Sequence, residues 1–461
     1  MKSKLIVCRL FLLLLAVVCS SLATDIAAAQ KSPPAPKPLA TEAFNLSNDM
    51  EVGLEIVARS PGASWARPGA EAAALSISVD GVQNQDQLLW AGDEVFHYRV
   101  MLGRLRKGKH TVSVSLNLPR SAAGAQIAEV KSLRVLPLAP ANLTAAAKED
   151  QLALAHSPVL YARANTIDHF TDIPMLMYYE ILPLSPVSGD QHGGRDFIVR
   201  YTAIFTNEDG GTQTLALMAR WGRGTDIEWV YEIHLRDGKI VEETYQGVNH
   251  EVKKFNGSRT GGQHPLLAVA SDNNNFSDLA CSDVRFAPLP MRADLESATR
   301  ESVMDRYPQT YRVMTEELQR EHRISPTPTG INIIADPRDY FYIEASSEQA
   351  GAALGFDIKI AGQGEAFASD LLDARLRIDR SGNFRTAVRL PHGVSPGAIE
   401  SVTARCHATA QPAEKRGCSH LKLLRVLTLD QNYVPRTLKL QAQPEASLAP
   451  GQTKVFKVDQ N

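Results

Sequence analysis

Two carboxylates lie two residues apart in the segment GRGTDIEWVYEI, which spans residues 222–233. Side chains of a β-strand alternate between its faces, so Asp226 and Glu228 would share one face and the apolar side chains the other. Such a pair can hold a cation, because calcium and magnesium prefer several oxygen ligands. A half-exposed strand with a solvated polar face has the same pattern, and from the spacing alone this is the commoner explanation.

A second oxygen-rich segment, SDNNNFSD at residues 271–278, follows the predicted strand PLLAVA. It is not an EF-hand loop, because the glycine at the sixth position and the final glutamate are missing. Residues of this kind also simply form turns. Loops at one end of a β-sandwich cluster, so this loop and GVNHEV are expected beside the carboxylates. The predicted ligand-binding residues are Asp226, Glu228, His250, Asp272 and Asn273.

A metal at this position would be held by Asp226, Glu228 and Asp272, and calcium or magnesium would be the expected ion. The sequence contains no H-E-x-x-H motif, no cysteine-rich zinc set and no Walker A loop. Recognisable zinc-hydrolase, kinase and dinucleotide signatures are therefore missing. The net charge is −2 and no zinc-finger spacing occurs, so a nucleic-acid partner is not expected.

The first residues have the composition of a targeting segment. Lys2, Lys4 and Arg9 precede the short apolar run LFLLLLAVV, and small residues follow. This pattern predicts a signal peptide over residues 1–29 and export to the periplasm, the extracellular space or the cell surface. Lipidation at Cys19 is disfavoured by the valine before it. No later run reaches about 18 apolar residues, so no transmembrane segment is expected after cleavage.

Two of the five cysteines leave with the signal peptide. Of the remaining three, Cys406 and Cys418 bracket the polar, turn-rich stretch HATAQPAEKRG. In an oxidising compartment they are expected to close this loop as a hairpin disulfide. Cys281 is then left unpaired, and a buried inert thiol is the simplest role for it.

Short alternating runs separated by turn signals predict a mostly β chain with three β-sandwich-like domains. A Pro-rich linker at residues 30–40 precedes an N-terminal sandwich at 41–145. A central sandwich is expected at 146–330 and a C-terminal sandwich at 331–461. The period becomes helical at about 292–324, which predicts a short helical segment between the second and third domains.

The central domain is predicted to contain most of the site. Its expected strands include FIVRYTAIFTN, TLALMARWG and DIEWVYEIHL, and the turns NEDGG and RDGK separate successive strands.

This region resembles two known families. HSPVLYARAN is similar to the opening A-P-V-L-x-F-H-P of the vacuolar protein sorting protein 62 family. GRGTDIEWVYEI resembles the H-E-G-D-W-E strand of that family and the G-H-R-H-D-W-E heptad of the necrosis- and ethylene-inducing-like proteins. YQGVNHEV and GQHPLLAVASDNNNFSD match later segments in order. The resemblance covers about 130 residues from His156 onward, and implies a β-sandwich.

In the necrosis-inducing family the heptad supplies ligands to a divalent cation at an acidic pocket. By position, Gly222, Asp226 and Glu228 match the heptad, whereas Arg223 and Thr225 replace both motif histidines. The resemblance therefore implies an acidic pocket. An ion or a polar ligand binds there, or Arg223 neutralises the carboxylates.

The expected function is that of an exported multidomain β-rich binding protein. It would recognise a carbohydrate or other polar ligand of the cell envelope through this acidic pocket. One alternative is a metal-assisted hydrolase centred on Asp226 and Glu228, which also requires His250 and Asp272 to converge with them. A second alternative is a membrane-acting secreted protein, which requires a bound metal and an exposed apolar loop.

Overall fold

A computed structural model describes residues 37–138, 144–163, 171–184, 196–279, 282–411, 415–442 and 444–459. Strands make up 48% and helices 12% of the structure, which confirms the mostly β class. The predicted signal peptide, most of the Pro-rich linker and Cys281 lie outside the described residues. Within those residues, no helix combines the length and apolar character needed to cross a bilayer.

The N-terminal region contains two antiparallel sheets. Its strands are β1 (Ala40–Leu46), β2 (Met50–Arg59), β3 (Ala74–Val79), β4 (Val82–Leu88), β5 (Phe96–Leu105), β6 (Gly108–Leu116) and β7 (Glu129–Pro137). The strand orders are β1-β6-β3-β4 and β5-β2-β7. Alternating buried and exposed residues along β5 and β6 show why these segments form strands around a shared core.

The central region contains the strands that carry the candidate site. Its elements are α1 (Ala145–Ala155), β8 (Val159–Tyr161), β9 (Pro174–Pro183), β10 (Phe197–Phe205), α2 (Thr214–Trp221), β11 (Ile227–Arg236), β12 (Lys239–Gln246), β13 (Val252–Lys254), β14 (Arg259–Thr260), β15 (His264–Val269), β16 (Phe276–Ser277), β17 (Arg285–Phe286) and β18 (Met291–Arg292). One sheet has the order β13-β12-β11-β10-β9-β18. The other has the order β14-β15-β8-β17, with β16 paired to β15.

Helix α2 corrects the strand predicted at TLALMARWG. Its residues are mostly strong helix formers, and Thr214, Leu217 and Met218 are buried at the i, i+3, i+4 spacing of one helix face. Gly222 ends the helix in the left-handed conformation at φ 62°, and its N–H donates to the Met218 carbonyl. The strand prediction was wrong because a short apolar run fits either period.

Helices interrupt the β structure where the helical period predicted them. They are α3 (Ser302–Asp305) and α4 (Gln309–Arg320), and Pro308 precedes the first residue of α4. The C-terminal strands follow: β19 (Tyr340–Ala350), β20 (Ala352–Ile360), β21 (Phe367–Ala368), β22 (Gly382–Arg389), β23 (Ile399–Ala408), β24 (Gly417–Leu429), β25 (Pro435–Leu438), β26 (Ala446–Leu448) and β27 (Thr453–Lys457). They form sheets ordered β22-β19-β24-β25 and β21-β20-β23-β27, and β26 pairs with β24.

Residues from all three regions pack into one hydrophobic core. One hydrophobic cluster includes residues from Leu46 to Tyr433, and a second is confined to the C-terminal sandwich. Residues Pro38–Asn461 form one compact unit. The division into three separable domains at the predicted boundaries stays a prediction.

Buried ion pairs join the helices to the C-terminal sandwich. Nη2 of the fully buried Arg385 lies 2.6 Å from Asp305 Oδ2 and 2.6 Å from Glu344 Oε1. The Arg385 Nη1 also donates to the Tyr311 hydroxyl at 2.6 Å. A Cβ at Gly222 would lie 2.8 Å from Arg385 Cγ, so this network also limits the position of the segment that leads into β11.

Cys406 and Cys418 are buried, free thiols whose sulfur atoms lie 2.7 Å apart. Cys406 is on β23 and Cys418 is on β24, and these strands belong to different sheets. The pair therefore crosses the core of the sandwich. The expected hairpin arrangement was wrong because the chain passes to the opposite sheet between the two cysteines.

Candidate functional site

The two carboxylates lie side by side where β11 begins. Asp226 immediately precedes the strand, and its carbonyl accepts a hydrogen bond of 2.9 Å from the Phe205 N–H on β10. Glu228 follows two residues later, and the two carboxyl groups are within hydrogen-bonding reach of each other. Only 1% of Asp226 is exposed, and only 13% of the Glu228 side chain. The pair therefore faces the protein interior, and a solvated strand face does not describe it.

Alternation along β11 stops at a β-bulge. Tyr231 pairs with Tyr201, but the next partner, Thr202, is opposite Trp229, so Val230 is an extra residue. Val230 is buried and Trp229 is only half-buried. A bulge changes which face the side chains on either side of it point to. The carboxylates before the bulge therefore follow a different alternation from the apolar core residues after it.

Asp226 has polar neighbours on both oxygens. Its Oδ2 accepts a hydrogen bond of 3.1 Å from the Asn274 amide, and its Oδ1 lies 3.8 Å from Arg223 Nη1. Burial, reinforced by the charge of Glu228, raises the pKa of Asp226 well above its ordinary value. If Asp226 were ionised, its Oδ1 would have no hydrogen-bond partner among the described residues. In the protonated form, its O–H can donate to Glu228.

Glu228 joins this buried pair to the surface. Its Oε2 accepts a hydrogen bond from the Gln246 amide at the end of β12 and lies 3.7 Å from His250 Nδ1. Burial raises the pKa of Glu228, and the bond from Gln246 acts in the opposite direction. The His250 side chain is 53% exposed, and its Nε2 lies 2.9 Å from the Asn273 amide nitrogen. Solvent thus reaches the rim formed by Glu228, His250 and Asn273.

Three residues around this rim have left-handed backbone conformations. Asn249 has φ 63° and His250 has φ 59°, and Asn274 in the facing loop has φ 46°. Residues other than glycine adopt this region at a cost of about 1–2 kcal/mol, with asparagine the most tolerant. Conformations of this kind cluster at functional sites, where the surrounding structure maintains them. Here they bring the His250 ring back over the end of β12 toward Glu228.

Asp272 belongs to a different cluster. Its Oδ1 lies 2.6 Å from Nη1 of Arg163, and Nη2 of the same arginine lies 3.0 Å from Asp172 and 3.2 Å from Asp209. The Asp272 side chain is 77% exposed. Asp272 and Asn273 are neighbours in the turn, but Asp272 binds Arg163 whereas Asn273 contacts His250. The structure brings together Asp226, Glu228, His250 and Asn273, and it does not bring Asp272 to them.

The three ligands predicted for a metal are accordingly not assembled. Among the described residues, no group of three or more histidine, cysteine, aspartate or glutamate side chains is placed to hold a metal ion. Two amide oxygens near the pair, Gln246 Oε1 and Asn274 Oδ1, are buried without a hydrogen-bond partner in the described structure. Metal binding stays a prediction.

Sequence reasoning missed Gln246 and Glu208 at the site, and it included Asn274 only as part of the SDNNNFSD loop. Gln246 and Asn274 bind the two carboxylates, and Glu208 is a further buried carboxylate close to Asp226. Burial, followed by the charge of Asp226, raises the pKa of Glu208 to about 8. Gln246 ends the strand before GVNHEV and could have been found from that position. Arg223 was predicted as a cation that neutralises the carboxylates. In the structure it also forms an ion pair with Glu301, whose Oε1 lies 3.2 Å from the Arg223 Nε.

No protein-family model matches this chain, and no curated protein matches it significantly.

We predict that Asp226 makes folding stability depend on pH. A carboxyl whose folded pKa lies above its unfolded value stabilises the protein below the unfolded pKa. This contribution is lost as pH rises toward the folded pKa, by about 1.4 kcal/mol per pH unit. Asp226→Asn retains an acceptor for Asn274 and gains a permanent donor to Glu228. Denaturant unfolding should be measured at pH 5 and pH 7. Between these two pH values, the free energy of unfolding of the variant relative to wild type should increase by more than about 1 kcal/mol.

Asp237→Asn is the control, because it makes the same substitution at an exposed turn residue. Its difference from wild type should not change with pH. If the Asp226→Asn difference is equally constant, Asp226 is ionised throughout and the description of the pair above is wrong.

Proposed function

We propose that this protein is an exported binding protein that recognises a carbohydrate or another hydroxyl-rich ligand of the cell envelope. The binding residues would be Glu228, His250 and Asn273, in the acidic site of the central region. The proposal is supported mainly by one observation: two successive left-handed residues hold a half-exposed histidine against a largely buried carboxylate.

The chemistry of the rim suits neutral polar ligands. The Glu228 carboxylate accepts hydrogen bonds, while the His250 imidazole and the Asn273 amide, which contact each other at 2.9 Å, contain donor and acceptor atoms. Sugar hydroxyl groups both donate and accept. Bonds to a carboxylate are stronger than bonds between neutral groups. The buried residues Asn274 and Gln246 restrain the carboxylates from behind, so a ligand would meet groups that already have defined positions.

The alternatives fit this geometry less well. The hydrolase requires Asp272 to converge with Asp226, Glu228 and His250, but Asp272 binds Arg163. The membrane-acting alternative requires an exposed apolar loop, and Val248 and Val252 beside His250 are exposed. Two valines form a patch far smaller than the several hundred Å² typical of a membrane or protein contact. A polar ligand at the rim therefore remains the better explanation.

We predict that the rim residues are required for glycan binding. An array of plant, fungal and bacterial cell-envelope oligosaccharides should identify a bound glycan, and calorimetry should give its affinity. Glu228→Gln removes a charged acceptor, and His250→Asn removes the imidazole while tolerating the left-handed backbone. Each should weaken binding at least about tenfold, since a hydrogen bond to a charged group contributes about 1.5–3 kcal/mol.

His420→Asn is the control for this experiment. His420 also has a left-handed φ, 53°, and contacts a glutamate, Glu445, but it lies in the C-terminal sandwich. The His420→Asn variant should bind the glycan with the affinity of the wild-type protein. Binding that survives both rim substitutions, or that His420→Asn weakens equally, would place the glycan elsewhere.

We also propose that the exported protein begins near Gln30 and contains a Cys406–Cys418 disulfide across the C-terminal sandwich. Its support is the signal pattern and the adjacent positions of the two sulfur atoms. Mass spectrometry after alkylation of the denatured, unreduced protein should find both cysteines unmodified, and Cys418 alkylated in the Cys406→Ser control. Alkylation of both cysteines in exported wild-type protein would show that no disulfide forms.

A further inference from the structure

A cavity of about 420 Å³ lies away from the acidic site, where three parts of the chain meet. Its walls come from the N-terminal sandwich at residues 87–99, from the central region at 173–177 and 286–291, and from residues 306–309, which lead into α4. Small-molecule sites are commonly about 300–1,000 Å³ and occur preferentially where structural units meet. Its volume and position are therefore those of a ligand pocket.

The inner wall of the cavity is apolar and adaptable. Trp90, Phe96 and Tyr98 form an aromatic cluster, with ring centroids 4.5 Å apart for the first two and 5.0 Å apart for the last two. The buried side chains of Met175 and Met177 complete this wall. Methionine adjusts its shape easily and makes favourable contacts with aromatic rings. Such a wall suits the flat or branched apolar body of a small ligand.

The cavity is held open by backbone restraints. The Met101 N–H donates to the Ala287 carbonyl at 2.8 Å, and the Leu289 N–H donates to the Arg99 carbonyl at 3.0 Å. Proline fixes φ, which limits collapse of the segments in which it occurs. The described lining residues include Pro174, Pro288, Pro290 and Pro308. A preformed pocket of this kind loses little conformational entropy when a ligand binds.

Basic side chains lie at the mouth of the cavity. Arg99, Arg306 and His97 are exposed lining residues, and the described lining contains no aspartate or glutamate. Arg99 is already paired with Glu55, 2.8 Å from its Nε. The backbone N–H of Arg306 donates to the Val303 carbonyl at 3.3 Å, but its guanidinium has no hydrogen-bond or ion-pair partner among the described residues and is available to a ligand. Guanidinium groups bind carboxylates, phosphates and sulfonates through paired N–H donors.

We infer that this cavity binds a small amphipathic anion, with its apolar body against the aromatic and methionine wall and its acidic group at Arg306. Nothing in this inference depends on the acidic site of the central region. The two sites would take different ligand classes, a neutral hydroxyl-rich ligand at Glu228 and an apolar anion here.

Two fluorescent probes with the same apolar body test both halves of the inference. 8-Anilinonaphthalene-1-sulfonate has an anionic group, and N-phenyl-1-naphthylamine lacks it. Titration of the full chain should show saturable binding of the sulfonate at one site per molecule. Arg306→Gln should weaken that binding about fivefold or more, the effect of losing one close charge pair near water, and should leave the neutral probe unaffected.

Location is tested by Val95→Trp, which places a large side chain at the exposed mouth and should block both probes. Arg106→Gln removes another exposed arginine, outside the cavity, and this variant should bind both probes like wild type. The inference is overturned if the sulfonate does not bind saturably or if Val95→Trp binds both probes normally. It is also overturned if Arg306→Gln and Arg106→Gln have the same effect.

Discussion

Burying Asp226 beside Glu228 is the constraint on which the candidate site depends. Two ionised carboxylates at hydrogen-bonding distance repel each other, and burial removes the water that would otherwise solvate them. Several individually weak interactions offset this unfavourable free energy. Asn274 and Gln246 donate to the carboxylates, Arg223 approaches Asp226 from 3.8 Å, and a proton on Asp226 can be shared with Glu228. Groups of the chain itself therefore compensate the charge of the buried carboxylates.

Contacts outside the site fix the positions of Arg223 and of the two residues that follow it. Arg223 is held by Glu301, just before α3, while Gly224 and Thr225 contact the sulfur atoms of Met314 and Met304. The same helices are tied to the C-terminal sandwich by the ion pairs of Arg385. The entry to β11 is thus restrained from both sides, which explains how buried carboxylates and left-handed residues can coexist at one end of the sandwich. The helices position the site as well as join the regions.

Local patterns predicted much of this arrangement. Alternation placed Asp226 and Glu228 together, and the expectation that loops cluster at one end of a sandwich brought His250 and Asn273 to them. The same reasoning could not distinguish Asp272 from Asn273, because the side-chain directions in a turn depend on backbone angles that residue types do not fix. It also could not predict the bulge at Val230. The cavity beside Arg306 joins segments more than 200 residues apart, and no local period reports such a contact.

Thermal unfolding at pH 7 with millimolar calcium, millimolar magnesium or chelator tests most directly whether the carboxylate pair is balanced from within. An ion that binds only the folded protein raises its melting temperature as the ion concentration rises. A pair compensated by Arg223, amide donors and a shared proton has no need of such an ion, so the three melting temperatures should agree. A clear rise with calcium or magnesium that disappears in Asp226→Ala would contradict this account and show that the pair holds a divalent cation.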